Sequence, residues 1–211
     1  MDEPPGARAV MIHVGLTGNV ASGKSAVGRI WAARGIPVLD ADLLAREAVQ
    51  PGSPGLAAVR EAFGEEVVAE DGTLDRARMR EIVFRDPEAR RRLERVLHPL
   101  IASLHRRWIA ERANEGTPLA ASEVPLLFET GLEDEFDVVV LVDASEAERL
   151  RRLVEERGLA PAEARSIMAS QGDPAVKRSK ADHVLDNDGS LAELEAKAIA
   201  LLDHLRGGAS A

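Results

Sequence analysis

Three observations give this chain an α/β fold, a doubly wound parallel sheet flanked by helices. Short apolar runs alternate with helical segments along most of its 211 residues. The run Phe136 to Asp143 is continuously apolar from Val138 to Val142, the pattern of a strand covered on both faces. A glycine-bearing stretch, Gly18-Asn19-Val20-Ala21-Ser22-Gly23-Lys24-Ser25, lies between an apolar run (Met11 to Leu16) and a helix-forming run (Ala26 to Ala33).

That stretch fits G-x-x-x-x-G-K-[ST], the P-loop that cradles nucleotide phosphates, and strand–loop–helix is its confirming context. The fold class expected is therefore P-loop NTPase-type. Gly18 and Gly23 allow the tight turn that points consecutive N–H groups at an anion. The following helix aims its positive end at the same place. The amides from Ala21 to Ala26 are the expected phosphate donors. Lys24 adds a point charge for the β- and γ-phosphates, and Ser25 offers a hydroxyl to Mg²⁺.

Composition narrows the class. Hydrophobic residues make up 45%, enough for a substantial core; aromatics are 3% with no Tyr, so that core is aliphatic. The net charge of -9 argues against a sequence-independent grip on nucleic acid. Without cysteine there is no disulfide, thiolate metal site or cysteine nucleophile. No apolar stretch approaches the ~20 residues that span a bilayer. Met1 to Ala9 carries no signal-type pattern. The expectation is a soluble cytoplasmic protein, monomer or weak homo-oligomer, with disordered tails over 1–9 and 207–211.

The elements follow in order. Ile36 to Asp40 is a short second strand after a Gly35 helix stop. A helix starts at Ala41. Gln50-Pro51-Gly52-Ser53-Pro54-Gly55 is a loop, Leu56 to Phe63 a helix, Glu70-Asp71-Gly72-Thr73 a turn, and Asp75 to Phe84 a helix. From Glu88 to Asn114 apolar residues recur at helical spacing, and Pro99 should break or kink this helix near His98. Residues 44–116 thus form a helical insertion between strands. Pro118 to Glu123 and Phe136 to Asp143 are strands. Ser145-x-x-Glu148 opens a helix to Arg157, Pro161 to Ser170 is another, His183 to Leu185 is the last strand, and Ser190 caps a final helix to about Leu205. The nucleotide core is then 10–43, 117–148 and 181–206.

Ligands of such sheets sit beyond the carboxyl ends of the strands, which puts the P-loop, Asp40, Asp42 and Asp143 on one rim. Asp40 and Asp42 can orient Mg²⁺ or take a proton from an attacking hydroxyl. Asp42 is equally suited to cap a helix. For magnesium, Ser25 with Asp40 comes first, and Glu123 and Asp143, each ending an apolar strand, stay open. Arg149, Arg151, Arg152 and Arg157, then Lys177, Arg178 and Lys180, supply cations for a lid over 149–180, with Arg152 and Arg157 assigned to the nucleotide.

Gly15-Leu16-Thr17-Gly18…Ser22-Gly23-Lys24-Ser25 with Asp40-Ala41-Asp42-x-x-Ala45-Arg46 resembles dephospho-CoA kinase. Asp71-Gly72-Thr73-Leu74, Leu97-His98-Pro99-Leu100-Ile101, Val124-Pro125-Leu126-Leu127-Phe128-Glu129 and Asp186-Asn187-x-Gly189 agree, from about residue 11 to about 205. The resemblance implies transfer of the ATP γ-phosphate to the ribose 3′-hydroxyl of dephospho-CoA, the last step of CoA biosynthesis. It implies a helical CoA-binding domain, a lid, Asp42 as catalytic base beside Lys24, and Thr17, Arg46, Arg80 and His98 toward the substrate. Asn19 and Ala21 stand where the family commonly has glycine, and both fit if φ stays negative. Glu156-Arg157-Gly158 shifts the lid arginine by one from the usual Arg-Asp-Gly. Two alternatives are another small-molecule P-loop kinase, whose own substrate motifs are missing, and a GTPase-like binding module, whose Asn-Lys-x-Asp is absent.

Overall fold

The structure, a computed structural model, describes residues 11–208. The tails expected over 1–9 and at the last three residues lie outside them. The chain divides into two compact units, one of residues 40–111 and one of the flanking segments. The sequence reading placed the helical insertion at 44–116.

The larger unit is built on a parallel sheet. Its strands are β1 (Ile12–Thr17), β2 (Val38–Asp40), β3 (Leu119–Glu123), β4 (Val138–Asp143) and β5 (His183–Asp186), in the order β2-β3-β1-β4-β5. β1 pairs in parallel with β3 and β4, and β4 with β5. The three central strands are buried along nearly their whole length, as strands covered on both faces are. β1 is the middle strand, so the loop that leaves it has neighbours on both sides.

Helices α1 (Lys24–Ala33) and α9 (Leu191–Gly208) cover one face. Leu194, Ala198, Leu202 and Leu205 form the buried stripe of α9 and pack with Val27 and Trp31 of α1 against Val14, Leu16, Val140 and Val142. Trp31 Nε1 donates to Ala198 O at 2.9 Å, so the one polar atom of this fully buried ring is satisfied. Each such side chain contributes roughly 1.5–3 kcal/mol by leaving water. α9 continues through Gly207 and Gly208, residues assigned above to the tail; as the last residues of the helix they leave no interior turn unsupported.

Between β4 and β5 the chain forms α6 (Glu146–Arg151), a π-helical turn (Arg152–Glu156), α7 (Pro161–Ala169) and α8 (Pro174–Lys180). The expected single helix to Arg157 is thus an α-helix that widens at Arg152. Ser145 caps it as expected, accepting from Glu148 N. α8 lies within the segment expected as the lid, with no element of its own assigned from the sequence: Asp173 caps it and Pro174 occupies its first turn.

The unit 40–111 is helical. It holds α2 (Ala41–Glu47), α3 (Pro54–Phe63), α4 (Arg76–Arg85) and most of α5 (Pro87–Asn114). Asp40, Ser53 and Asp75 cap α2, α3 and α4 through their side chains. The cap of α2 is therefore Asp40 and not Asp42. Val49, Val59, Val67 and Met79 form the core, joined by Phe63, Leu74, Leu93, Val96 and Leu97.

Pro99 does not break α5, which runs unbroken for 28 residues. Proline removes one N–H bond and crowds the carbonyl four residues back. The apolar residues before it, Leu93, Val96 and Leu97, stay packed in the unit's core and hold the helix. Pro99 itself is exposed. Pro99→Ala should therefore stabilise this unit by about 1–2 kcal/mol, the restored bond being offset in part by a freer unfolded chain. Urea unfolding checks this; a lower midpoint would show that the proline fits α5 without cost.

Candidate active site

The loop after β1 needs glycine at two places. A Cβ on Gly18 would lie 2.4 Å from Val142 O and 2.5 Å from Ser22 Oγ. Gly23, which precedes α1, has φ 100°, and a Cβ there would meet Asn187 Nδ2 at 2.1 Å. Ser22 N–H donates to Asn19 O, and Ala26 N–H to Gly23 O. Of the amides expected to hold phosphate, those two already have acceptors within the loop. The amides of Lys24 and Ser25 belong to the first turn of α1, whose N–H groups have no partner within a helix.

Ala21 departs from expectation. Its φ is 59°, the left-handed region, and it is the one non-glycine residue so placed among the described residues. An L side chain pays roughly 1–2 kcal/mol there. Packing offsets it: Ala21 is buried with Leu153 and Ala164, and Val20, Leu150, Leu159 and Met168 close around them. Asn19 keeps a φ that suits any residue.

One carboxylate organises the Lys24–Ser25 side of the loop. Glu123 Oε2 accepts from Lys24 Nζ at 2.7 Å and from Ser25 Oγ at 3.0 Å. Both charged side chains are largely shielded, 13% and 10% exposed, so water screens the pair weakly. Register places Glu123: its Cα partner on β1 is Leu16, two residues before the loop. Gly28, one turn along α1, leaves room for it, since a Cβ there would sit 2.0 Å from Glu123 Oε1.

The three acids left open for magnesium now separate. Glu123 is the one against Ser25. Asp143 instead accepts from Arg178 at 2.8 Å, and Arg178 also holds Asp186 at 2.7 Å. Asp186, then Asp143, raise the Arg178 guanidinium further above its ordinary range. Asp40, the first choice, spends one oxygen on Asp42 N–H as a cap. A hydroxyl beside a carboxylate is a hard-oxygen set that suits Mg²⁺, which keeps several waters and takes few protein ligands.

Arg152 reaches the loop, though through its backbone. Its Nη1 donates to Ala21 O and Ser22 O, its Nη2 to Asn187 O, and Glu148 holds its Nε. Asn187 Nδ2 also donates to Ser22 O. Arg157 is exposed at the end of the π-helical turn and makes no hydrogen bond to the loop among the described residues. Arg149 is buried, its Nε on Ala144 O. Lys177 turns to Asn19 Oδ1 at 2.6 Å and to Glu129 at 2.5 Å. Gln171 Oε1 accepts from Val20 N–H at 2.9 Å.

Thr17 ends β1 and is buried. In the unit 40–111, Asp42, Arg46, Arg80 and His98 are exposed, on α2, α2, α4 and α5. Because Asp40 does the capping, the Asp42 carboxylate makes no hydrogen bond or ion pair among the described residues, and it is available for chemistry. Glu129 and Gln171 are not among the expected site residues, although the first stands in a segment quoted for the resemblance, and Lys177, expected as a lid cation, instead holds Asn19 and Glu129. Their partners are distant in sequence, so no local pattern marks them.

Among the described residues no helix is long and apolar enough to cross a membrane. A family model described as dephospho-CoA kinase matches residues 12–193. A dephospho-CoA kinase of Anaeromyxobacter dehalogenans is 46% identical over 92% of both chains. One of Streptomyces avermitilis is 46% identical over 89% of this chain and 90% of that one. A crystal structure of a Thermus thermophilus protein superposes with a TM-score of 0.78 at 38% identity, covering 93% of this chain and 98% of that one. The Campylobacter jejuni dephospho-CoA kinase gives 0.73 at 25% identity, with the same coverage.

Arg151, then burial acting the other way and Arg152, set the Glu148 carboxyl, which lies at about 2. Lowering below the ordinary carboxylate value makes this ion pair stabilising at neutral pH; it is lost only as pH falls toward 2. A carbon-detected NMR titration should find Glu148 still ionised at about pH 3.5, where free glutamate is largely protonated. A midpoint in the ordinary range would mean that Arg151 and Arg152 do not hold it. On the match over most of its length and these identities, the chain belongs to the dephospho-CoA kinase family.

Proposed function

We propose that this chain transfers the γ-phosphate of ATP to the 3′-hydroxyl of the ribose in dephospho-CoA, the last step of CoA biosynthesis. The observation that carries the reading is the convergence of Lys24 Nζ and Ser25 Oγ on one Glu123 oxygen at the positive end of α1. These are the groups a nucleotide phosphate and its metal need, brought together by the fold itself.

Loop amides and Lys24 bind the β- and γ-phosphates. To do so Lys24 exchanges its carboxylate partner for phosphate oxygens, and Glu123 is released. Ser25 and Glu123 would hold Mg²⁺. When bound, the ion neutralises charge on the phosphates and helps fix their geometry. Asp42 accepts the 3′-hydroxyl proton as that oxygen attacks the γ-phosphorus in line with the departing ADP oxygen. The unit 40–111 is the CoA-binding part, and Arg46, Arg80, His98 and, at the end of β1, Thr17 are the residues for the acceptor. Residues 149–180 serve as the lid, and Arg152 is its link to the nucleotide. We take the enzyme to work in the cytoplasm, as a monomer or weak homo-oligomer.

Asp42→Asn should keep ATP binding and slow turnover by ~100-fold or more, the usual size of a general-base effect. Lys24→Ala should lose both. ADP release is followed on adding dephospho-CoA, AMP, shikimate or no acceptor. Rapid release with dephospho-CoA alone supports the reading. Equal release in all four arms, or unchanged turnover in Asp42→Asn, contradicts it.

A further inference from the structure

Lys177 carries a charge yet is 2% exposed. Burying an ammonium is costly unless it is paired and hydrogen-bonded. Here it is both. Its Nζ donates to Asn19 Oδ1 at 2.6 Å and pairs with Glu129 Oε1 at 2.5 Å. Glu129 follows β3, Lys177 lies on α8, and Asn19 is the second residue of the loop. Glycine at position 19 would leave no side chain for this lysine to hold.

Followed onward, these contacts return to where they start. The same Glu129 oxygen accepts from Gly172 N–H at 3.2 Å. Gly172 follows Gln171, whose Oε1 accepts from Val20 N–H at 2.9 Å. Val20 is bonded to Asn19 in the chain. The result is a closed ring: Asn19, Lys177, Glu129, Gly172, Gln171, Val20. It contains one buried cation and one anion, and it joins the P-loop, the segment after β3 and the turn before α8. Burial pushes the Glu129 carboxyl up, but the Lys177 hydrogen bond and backbone donors outweigh it, so it lies below its ordinary value and stays ionised at neutral pH.

We infer that Glu129, Gln171 and Lys177 are positioning residues for ATP: the ring fixes Asn19 and Val20, and with them the curvature of the loop whose later amides take the phosphates. This rests on the reading of that loop as the ATP site. None of the three touches the reacting atoms in this scheme. Each acts through the loop, and the loop's shape sets affinity for nucleotide more than the rate of transfer once nucleotide is bound. Ring members share one network, so the loss of any one should resemble the loss of any other.

The test uses the full chain with Glu129→Gln, Gln171→Ala, Lys177→Arg and the double variant Glu129→Gln/Gln171→Ala. Gln171 is uncharged and partly exposed, so its variant opens the ring without leaving a buried charge unpaired. Hydrogen exchange is read first, without nucleotide. Both Glu129→Gln and Gln171→Ala should speed exchange about tenfold, together in peptides spanning 15–25 and 168–180. Steady-state kinetics should then show the KM for ATP raised about tenfold with kcat within about threefold, the double variant no worse than the poorer single, and Lys177→Arg close to wild type. Acceleration in one peptide only, additive effects in the double, or an unchanged KM would overturn the ring. The exchange arm needs no turnover, so inactive wild-type protein with coupled peptides would refute the kinase reading and leave the ring standing.

Discussion

The position of the Glu123 carboxylate is the constraint on which the site depends. It is the shared acceptor for Lys24 and Ser25, and it reaches them because β3 lies next to β1 in a register that sets Glu123 beside Leu16. Without a nearby anion, Lys24 would project a charge into a loop already crowded with N–H dipoles. Glu123 therefore neutralises that charge within the loop and, in the proposed cycle, changes partner when phosphate replaces it. In that proposed cycle the same oxygen goes over from Lys24 to the metal. Gly28 in α1, a residue with poor helix propensity, leaves the space in which that carboxylate lies.

The loop is held from its other side by groups that arrive between β4 and β5. Arg152 takes its carbonyls, Gln171 takes one of its amides, and Leu153 and Ala164 pack on Ala21. A π-helical turn begins at Arg152, and such turns often mark functional positions. The cost of a left-handed alanine is met by this packing, so the departure from glycine ties the loop to these helices. A glycine-rich loop would bend more freely and would lack that apolar hold.

Much of this was legible in the sequence. The P-loop is read from residue types and flanks, since its chemistry is local. The strands ending in Glu123 and Asp143 are legible because both faces of the sheet are covered. Ser145 and Ser190 announce helix starts through their own side chains. What was not legible depends on which strands are neighbours. Glu123 and Asp143 look equivalent until the order β2-β3-β1-β4-β5 sets one beside the loop and leaves the other to Arg178. Asp40 and Asp42 differ only in which of them caps α2. The left-handed Ala21 and the intact helix through Pro99 are both tertiary outcomes that override a local preference.

The central claim is that Glu123 leaves Lys24 to serve the metal once ATP is bound. Calorimetry of ATP binding with and without magnesium, in the wild-type chain and in Glu123→Gln, addresses it without turnover. In the wild-type chain magnesium should strengthen ATP binding by tenfold or more, and in Glu123→Gln the gain should shrink to about threefold or less, as loss of a metal-supporting carboxylate usually does. An equal magnesium gain in both proteins would contradict the claim and return Glu123 to a purely structural role.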